Sequence, residues 1–223
     1  MKGLFQILAS SVGQKVGMAV SGLLLCGFLV VHLAGNLLLY KSDEAYNTYA
    51  ETLHKQPWLE VAETGLFLLL FTHIGLGFRT HFGNRSARDV GYARKQTKKT
   101  NSVLIFDPST LMFPTGLVVL LFLALHMIDM KLQLNPSVDY AAATTAAGQA
   151  RAVLQTGLSA VVYILGSLCL GVHLTHGVSS AFQSLGIEHP KYNLAIRVIS
   201  VVFGAIIALG FVSFPITVNL GAL

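Results

Sequence analysis

Charged residues are scarce in this chain. Asp, Glu, Lys and Arg together make up 11% of its 223 residues, whereas soluble domains carry about 25%. Hydrophobic residues make up 53% of the chain, and its mean hydropathy is +0.64. This shortage of charge excludes an ordinary soluble domain and indicates an integral membrane protein.

Cysteine is also scarce. Cys26 and Cys169 both fall within apolar stretches, where they are expected to be small packing residues and not a disulfide or a metal pair. The chain has no C-x-x-C-H motif, which excludes covalent c-type haem. The apolar run after Lys15 is too long for a cleavable signal peptide and is followed by no cleavage site, so we expect this segment to be retained.

Five apolar stretches are long enough to cross a bilayer, which takes roughly 20 residues each. We therefore predict an all-α integral membrane protein with a single domain over residues 1–223. Its spans are predicted at about 16–40, 58–80, 109–131, 151–180 and 192–218. The fourth apolar run is longer than one span, so its last part is expected to leave the membrane. The loops are too short for a substrate-oxidising domain, so such chemistry must belong to other subunits.

The basic residues are divided unevenly between the two sides of the predicted membrane. Lys41, Lys55, Lys131 and Arg151 fall on one side, which leaves 11 of the 15 basic residues on the other. The positive-inside rule then places the N-terminus in the cytoplasm and the C-terminus outside. The basic run at 94–99 is interpreted as a cytoplasmic loop that holds this topology, and not as a nucleic-acid-binding segment.

The first four spans each contain one histidine: His32, His73, His126 and His173. Ionisable side chains inside a bilayer are costly and usually functional. The direction of each helix places His32 and His126 toward the outer leaflet, and His73 and His173 toward the cytoplasmic leaflet. Because one metal has one depth, we predict that His32 pairs with His126 and His73 with His173, roughly 10 Å apart in depth.

Two imidazoles per site favour haem over a bare metal ion. With no carboxylate or thiolate beside them, they would leave zinc or copper undercoordinated. Haem supplies four nitrogens and needs two axial ligands, and bis-histidine ligation suits electron transfer because it leaves no open position. We therefore predict two stacked haem b groups inside a bundle of four of the five helices. The alternative for any single histidine is a hydrogen-bonded packing residue.

A hydroxyl residue followed by glycine precedes two of these histidines at the same distance. Ser21-Gly22 precedes His32, and Thr115-Gly116 precedes His126, in both cases by eleven and ten residues. Eleven residues are about three turns, so each pair lies on its histidine's face about 16 Å deeper, at the level of the other site. We expect the glycine to let a flat macrocycle approach the backbone, and the hydroxyl to bind a propionate or a helix carbonyl. The alternative is ordinary small-residue helix packing.

Three further residues near the inner end are weaker candidates. His176 lies three residues after His173, on nearly the same face, so it is either the ligand itself or a partner for a propionate. Arg79 and His81 lie at the inner edge of the second span and are candidates for binding a propionate or a quinone.

Short segments around the four histidines are similar to a known family. They are SVGQK at 11–15, Ser21-Gly22, VHLAGNL at 31–37, EAYN at 44–47, HIG at 73–75, Thr115-Gly116 with His126, HLTHG at 173–177, SAFQ at 180–183 and LG at 185–186. In this combination, over nearly the whole chain, they resemble the cytochrome b subunit of succinate dehydrogenase/fumarate reductase, of the diheme b558 type.

The resemblance implies a membrane-anchor subunit of succinate:quinone oxidoreductase in a bacterial cell membrane, with five helices and two b haems. It implies a flavoprotein subunit with FAD, which carries the dicarboxylate active site, and an iron–sulfur subunit, both docked on the cytoplasmic face. Electrons would pass between the iron–sulfur clusters and a membrane quinone, menaquinone on family grounds. In the family the first and third ligands serve one haem and the second and fourth the other, as the depth argument also gives.

One position departs from part of the family. Some quinol-oxidising relatives carry a glutamate two residues before the fourth ligand, as part of a transmembrane proton path, and this chain has Gly171 there. Two other functions fit part of the pattern: a diheme anchor for another quinone-linked dehydrogenase or hydrogenase, and a haem-free transporter whose histidines relay protons. The loop segments quoted above argue against the first of these.

Overall fold

A computed structural model describes residues 10–86 and 108–223 of the chain. In those residues the regular elements are all helical, and no strand occurs. Five of the helices in this part of the chain are long and apolar enough to cross a membrane, which confirms the predicted fold class at that level. The basic run at 94–99 lies outside the described residues.

The helices in chain order are α1 (Ser11–Leu37), α2 (Asp43–His54), α3 (Leu59–Ser86), α4 (Pro108–His126), α5 (Ala146–Gln155), α6 (Gly157–Ser184) and α7 (Pro190–Asn219). The candidate spanning helices are α1, α3, α4, α6 and α7, whereas α2 and α5 are short. A 3-10 turn, Leu38–Tyr40, extends α1, and a π-helical turn, Met127–Lys131, extends α4.

Serine and threonine begin three of the helices. The side chains of Ser10, Ser42 and Thr145 each accept a hydrogen bond from the backbone N–H three residues further on. Such caps satisfy one of the donors that the start of a helix leaves unpaired. Helix α7 begins at Pro190, whose missing N–H is harmless at a first helical position.

The structure differs from the sequence prediction around the fourth span. Thr156 has an extended backbone (φ −68°, ψ 117°) that separates α5 from α6, so the spanning helix begins at Gly157 and not near 151. Helix α6 then continues without a break to Ser184, past the predicted end near 180. A continuous apolar run does not reveal such a break, because hydropathy indicates which residues can lie in the membrane and says nothing about their backbone angles.

Helix α6 has the most extensive packing in the bundle. It packs against α7, α4 and α1, whereas α3 packs mainly against α1. Glycine permits the closest approach, since a Cβ added to Gly171 would lie 2.6 Å from the Cβ of Ala208 and 2.9 Å from the carbonyl oxygen of Gly204. A glutamate at Gly171 would therefore not fit between α6 and α7.

Helices α2 and α5 lie together at one end of the bundle. Arg151 of α5 forms an ion pair with Asp43 of α2, and Asn47 accepts a hydrogen bond of 2.9 Å from the backbone N–H of Ala147. The hydrogen bond from Arg151 lowers the pKa of the Asp43 carboxyl, and the same bond raises the pKa of Arg151. If the five spans alternate in direction, the loops that contain α2 and α5 fall on the same side of the membrane. In the structure these two loops meet at one end of the bundle.

Candidate cofactor site

A large cavity runs through the bundle. Its volume is about 1710 Å³, and His32, His73, His126 and His173 all line it. Protein interiors are close-packed, with few voids larger than a water molecule, and cavities for drug-sized ligands measure about 300–1,000 Å³. This cavity therefore has room for more than one large group, and the four predicted ligands are on its wall.

The outer pair faces across this cavity from α1 and α4. The ring centroids of His32 and His126 are 5.9 Å apart, with 82° between the ring planes. Nitrogens on opposite sides of one metal, each about 2 Å from it, place imidazole centroids about 6 Å apart. Aromatic rings flank both histidines. Phe28 and Phe211 lie against His32, and Phe122 and Tyr163 lie against His126. The spacing of the two rings suits one metal between them.

The inner pair comes from α3 and α6, and each ring rests on a neighbouring helix. His73 Nδ1 lies 3.2 Å from the hydroxyl of Ser21, and His173 Nδ1 lies 3.4 Å from the hydroxyl of Thr115. Both histidines line the cavity. The structure thus brings each inner histidine to the hydroxyl that the sequence places at its depth.

The two glycines next to these hydroxyls also face the inner histidines. A Cβ added to Gly22 would lie 3.1 Å from Cε1 of His73, and one added to Gly116 would lie 3.2 Å from Cε1 of His173. The sequence argument gave glycine the task of admitting a macrocycle to the backbone. In the structure each glycine makes room for an imidazole ring, which also requires the absence of a side chain.

The hydroxyls favour one protonation pattern for each inner ring. Ser21 donates to the carbonyl of Met18 at 3.1 Å, and Thr115 donates to the carbonyl of Leu111 at 2.6 Å. Each hydroxyl oxygen is then an acceptor for the Nδ1–H of its histidine, and Nε2 keeps its lone pair. Such outer partners set the tautomer and orientation of metal-binding histidines, so both inner rings are prepared to bind a metal through Nε2.

Helices α1 and α4 each serve both levels of the cavity. On α1, Ser21 contacts the inner histidine of α3 while His32 faces the outer histidine of α4. On α4, Thr115 contacts the inner histidine of α6 while His126 faces the outer histidine of α1. The eleven-residue offset corresponds to about 16 Å along each helix.

In its described residues, the structure groups no further metal ligands with the four histidines. Within residues 10–86 and 108–223, no group of three or more His, Cys, Asp or Glu side chains could hold a metal ion. A bare ion would therefore find two protein ligands at each level, whereas haem requires two axial ligands. The donor set and the cavity both fit haem.

The weaker candidates have different environments. Arg79 is exposed and does not line the cavity, and His176, partly buried on α6, does not line it either. His81 does line the cavity and stacks on Phe113, with ring centroids 3.8 Å apart. His81 therefore has a clearer structural relation to the site than Arg79.

Two residues near the cavity were not singled out by the sequence. Lys15 lines the inner end of the cavity. Its position could have been predicted from the sequence, because the first apolar run begins directly after it. Asp129 is completely buried at the outer end, in the π-helical turn after His126. In the sequence, Asp129 could have been recognised as the lone acid that directly follows the charge-free run of the third span.

Comparison with known proteins leaves the function to be argued from these residues. No family model, no curated protein and no solved structure matches the chain.

Proposed function

We propose that this chain is the diheme cytochrome b membrane anchor of a succinate:quinone oxidoreductase. The observation that carries the proposal is the arrangement of four histidines as two pairs, at two levels of one cavity. The family resemblance of the surrounding segments supports the same function. The proposed setting is a bacterial cell membrane, with the N-terminus in the cytoplasm.

His32 and His126 would hold one haem b near the outer leaflet, and His73 and His173 would hold a second near the inner leaflet. Bound haem supplies a one-electron couple, Fe(III)/Fe(II). The protein's part is to fix two imidazoles at each level, to hold the inner rings through Ser21 and Thr115, and to keep water from the irons with apolar side chains. Two ligands per iron leave no position for oxygen, which favours electron transfer over oxygen chemistry.

The partners belong to the proposal as well. A flavoprotein with FAD and an iron–sulfur subunit would dock on the cytoplasmic face, and a membrane quinone, menaquinone by resemblance, would exchange electrons with the haems. Oxidation of succinate would occur in the flavoprotein, because the short loops of this chain offer no room for it. Gly171, closed in by Ala208 and Gly204, gives no support to a proton path along this part of α6.

Reduced-minus-oxidised spectra of the purified protein test the haem part of the proposal. We expect a b-type spectrum and two haems per chain, with one lost when either ligand pair is broken. His54→Ala is the matched control, because His54 is an exposed histidine on α2 and its loss should leave both haems. A protein that contains no haem would refute the proposal in favour of the transporter.

Copurification tests the choice of enzyme. A complex that contains FAD and iron–sulfur clusters, and whose haems are reduced by succinate, is the expected result. Haems that are reduced by another donor and not by succinate would assign the chain to a different quinone-linked dehydrogenase or hydrogenase.

A further inference from the structure

Asp129 is the one charged side chain that is fully buried among the described residues, with 0% of its surface exposed. It lies within the candidate span Leu111–Lys131, three residues after the outer histidine His126. Ionisable residues inside a membrane are rare and usually functional, and π-helical turns such as Met127–Lys131 are frequent at functional sites. An acid at this position is therefore expected to have a function.

Neutral groups surround the Asp129 carboxylate. Asn135 donates to Oδ1 at 2.9 Å, and the Tyr140 hydroxyl donates to the Asp129 carbonyl at 2.8 Å. Oδ2 of Asp129 and the hydroxyl of Tyr163 are both buried, and Tyr163 interacts with the Asp129 side chain. Tyr163 also packs on the outer ligand, with its ring centroid 5.7 Å from that of His126.

The nearest basic residue along the chain is already paired. Lys131 donates to both carboxylate oxygens of Glu63 at 2.7 Å, and that ion pair is partly exposed. An ionised Asp129 would therefore have no cation of its own turn to neutralise it. In a medium of low dielectric constant, such a charge acts on its surroundings more strongly than it would in water.

We propose that Asp129 places a negative charge beside the outer pair and selectively lowers the midpoint potential of the iron that His32 and His126 hold. The inference rests on the proposed function, since it needs the two haems. Tyr163 contacts both the Asp129 side chain and the ring of His126, so the carboxylate is separated from a ligand of the outer iron by one side chain. A nearby negative charge stabilises Fe(III) relative to Fe(II), and charge near a haem is one of the protein's means of setting its potential.

The inner pair has a different environment. Its rings are held by the hydroxyls of Ser21 and Thr115, and the residue three positions after His173 is His176, not an acid. The effect of Asp129 should therefore be confined to the outer haem.

Potentiometric titration of the assembled complex, followed by the haem absorption bands, tests this inference. The outer component is identified as the one missing from His32→Ala. Asp129→Asn removes the charge and keeps the shape, so we expect the outer potential to rise while the inner potential stays the same. Asp129→Glu should restore the low value. Asp139→Asn is the matched control, because Asp139 is an exposed acid of the same loop and should change neither potential.

A second variant settles the question if Asp129→Asn fails to retain the outer haem. Asp129→Leu removes the charge without burying an amide and should raise the outer potential in the same way. An outer potential that is unchanged in Asp129→Asn, or in Asp129→Leu where the first variant loses the haem, would overturn the inference. Either result would leave the two haems, and so the proposed function, in place; a wild-type complex without haem would instead refute the function.

Discussion

Replacing Gly22 by alanine probes the contact between α1 and the inner histidine of α3. The new Cβ would lie 3.1 Å from Cε1 of His73, whereas carbon atoms in good contact are about 3.5–4.0 Å apart. The ring must therefore retreat by about half an ångström. Cε1 is bonded to Nε2, so the nitrogen that would bind the iron moves with it.

The expected magnitude follows from how little displacement a metal site accepts. Metal–ligand distances in proteins hold to about ±0.2 Å, and disturbing the groups that position a ligand typically costs about 10- to 100-fold in metal affinity. This corresponds to about 1.4–2.8 kcal/mol. Alanine is also a better helix former than glycine by about 1 kcal/mol, so the haem-free helix itself should not be weakened. The loss should therefore appear in haem binding and not in helix stability.

The assay is haem content and the reduced-minus-oxidised spectrum of Gly22→Ala after purification in detergent. We expect the inner haem to be lost or weakly held and the outer haem to remain. Gly116→Ala should behave in the same way, because its Cβ would lie 3.2 Å from His173 Cε1.

Gly27→Ala provides the control. Gly27 lies on the same helix, and a Cβ there would meet nothing within 4 Å, so this variant gains the same helix propensity without the contact. If Gly22→Ala retained both haems as firmly as Gly27→Ala does, the proposed packing of His73 on α1 would be refuted.

Three further predictions concern individual side chains. His32→Ala or His126→Ala should lose the outer haem while the inner one remains, as measured by spectra and haem content; loss of the inner haem alone would contradict the pairing. His176→Ala should keep both haems, because this ring does not line the cavity, and a product with one haem would move the ligand assignment. The pairing with Arg151 holds the pKa of Asp43 below its ordinary value, so its stabilising contribution should be present at neutral pH and be lost as the pH falls through that lowered pKa. Proteolytic susceptibility of the outer loops measured against pH should show this change in the native protein and not in Asp43→Asn.

The sequence predicted the number of long helices, because each apolar run of spanning length favours one helix. Five apolar runs predict five helices, and the structure has them in its described residues. The level of Ser21 and Thr115 also follows from rise alone, and each contacts the inner histidine assigned to that level. The identity of the bound group and the ligand roles of the histidines stay predictions.

Other features depend on details that a hydropathy pattern does not contain. The break at Thr156 is a single change of backbone angles inside an apolar run. The burial of Asp129 depends on α6 and on the turn that brings Asn135 back to it. The contact that Gly22 makes with an imidazole depends on how closely α3 approaches α1.

Each of α1 and α4 supplies a ligand position at one level and a support at the other. The side chains at the two levels are separate, but the position of the helix is shared between them. If either helix shifted along its axis or rotated, it would displace an imidazole at one level and the resting place of an imidazole at the other. Placement of one proposed cofactor should therefore favour the geometry that the other one needs, although each is held by its own pair of ligands.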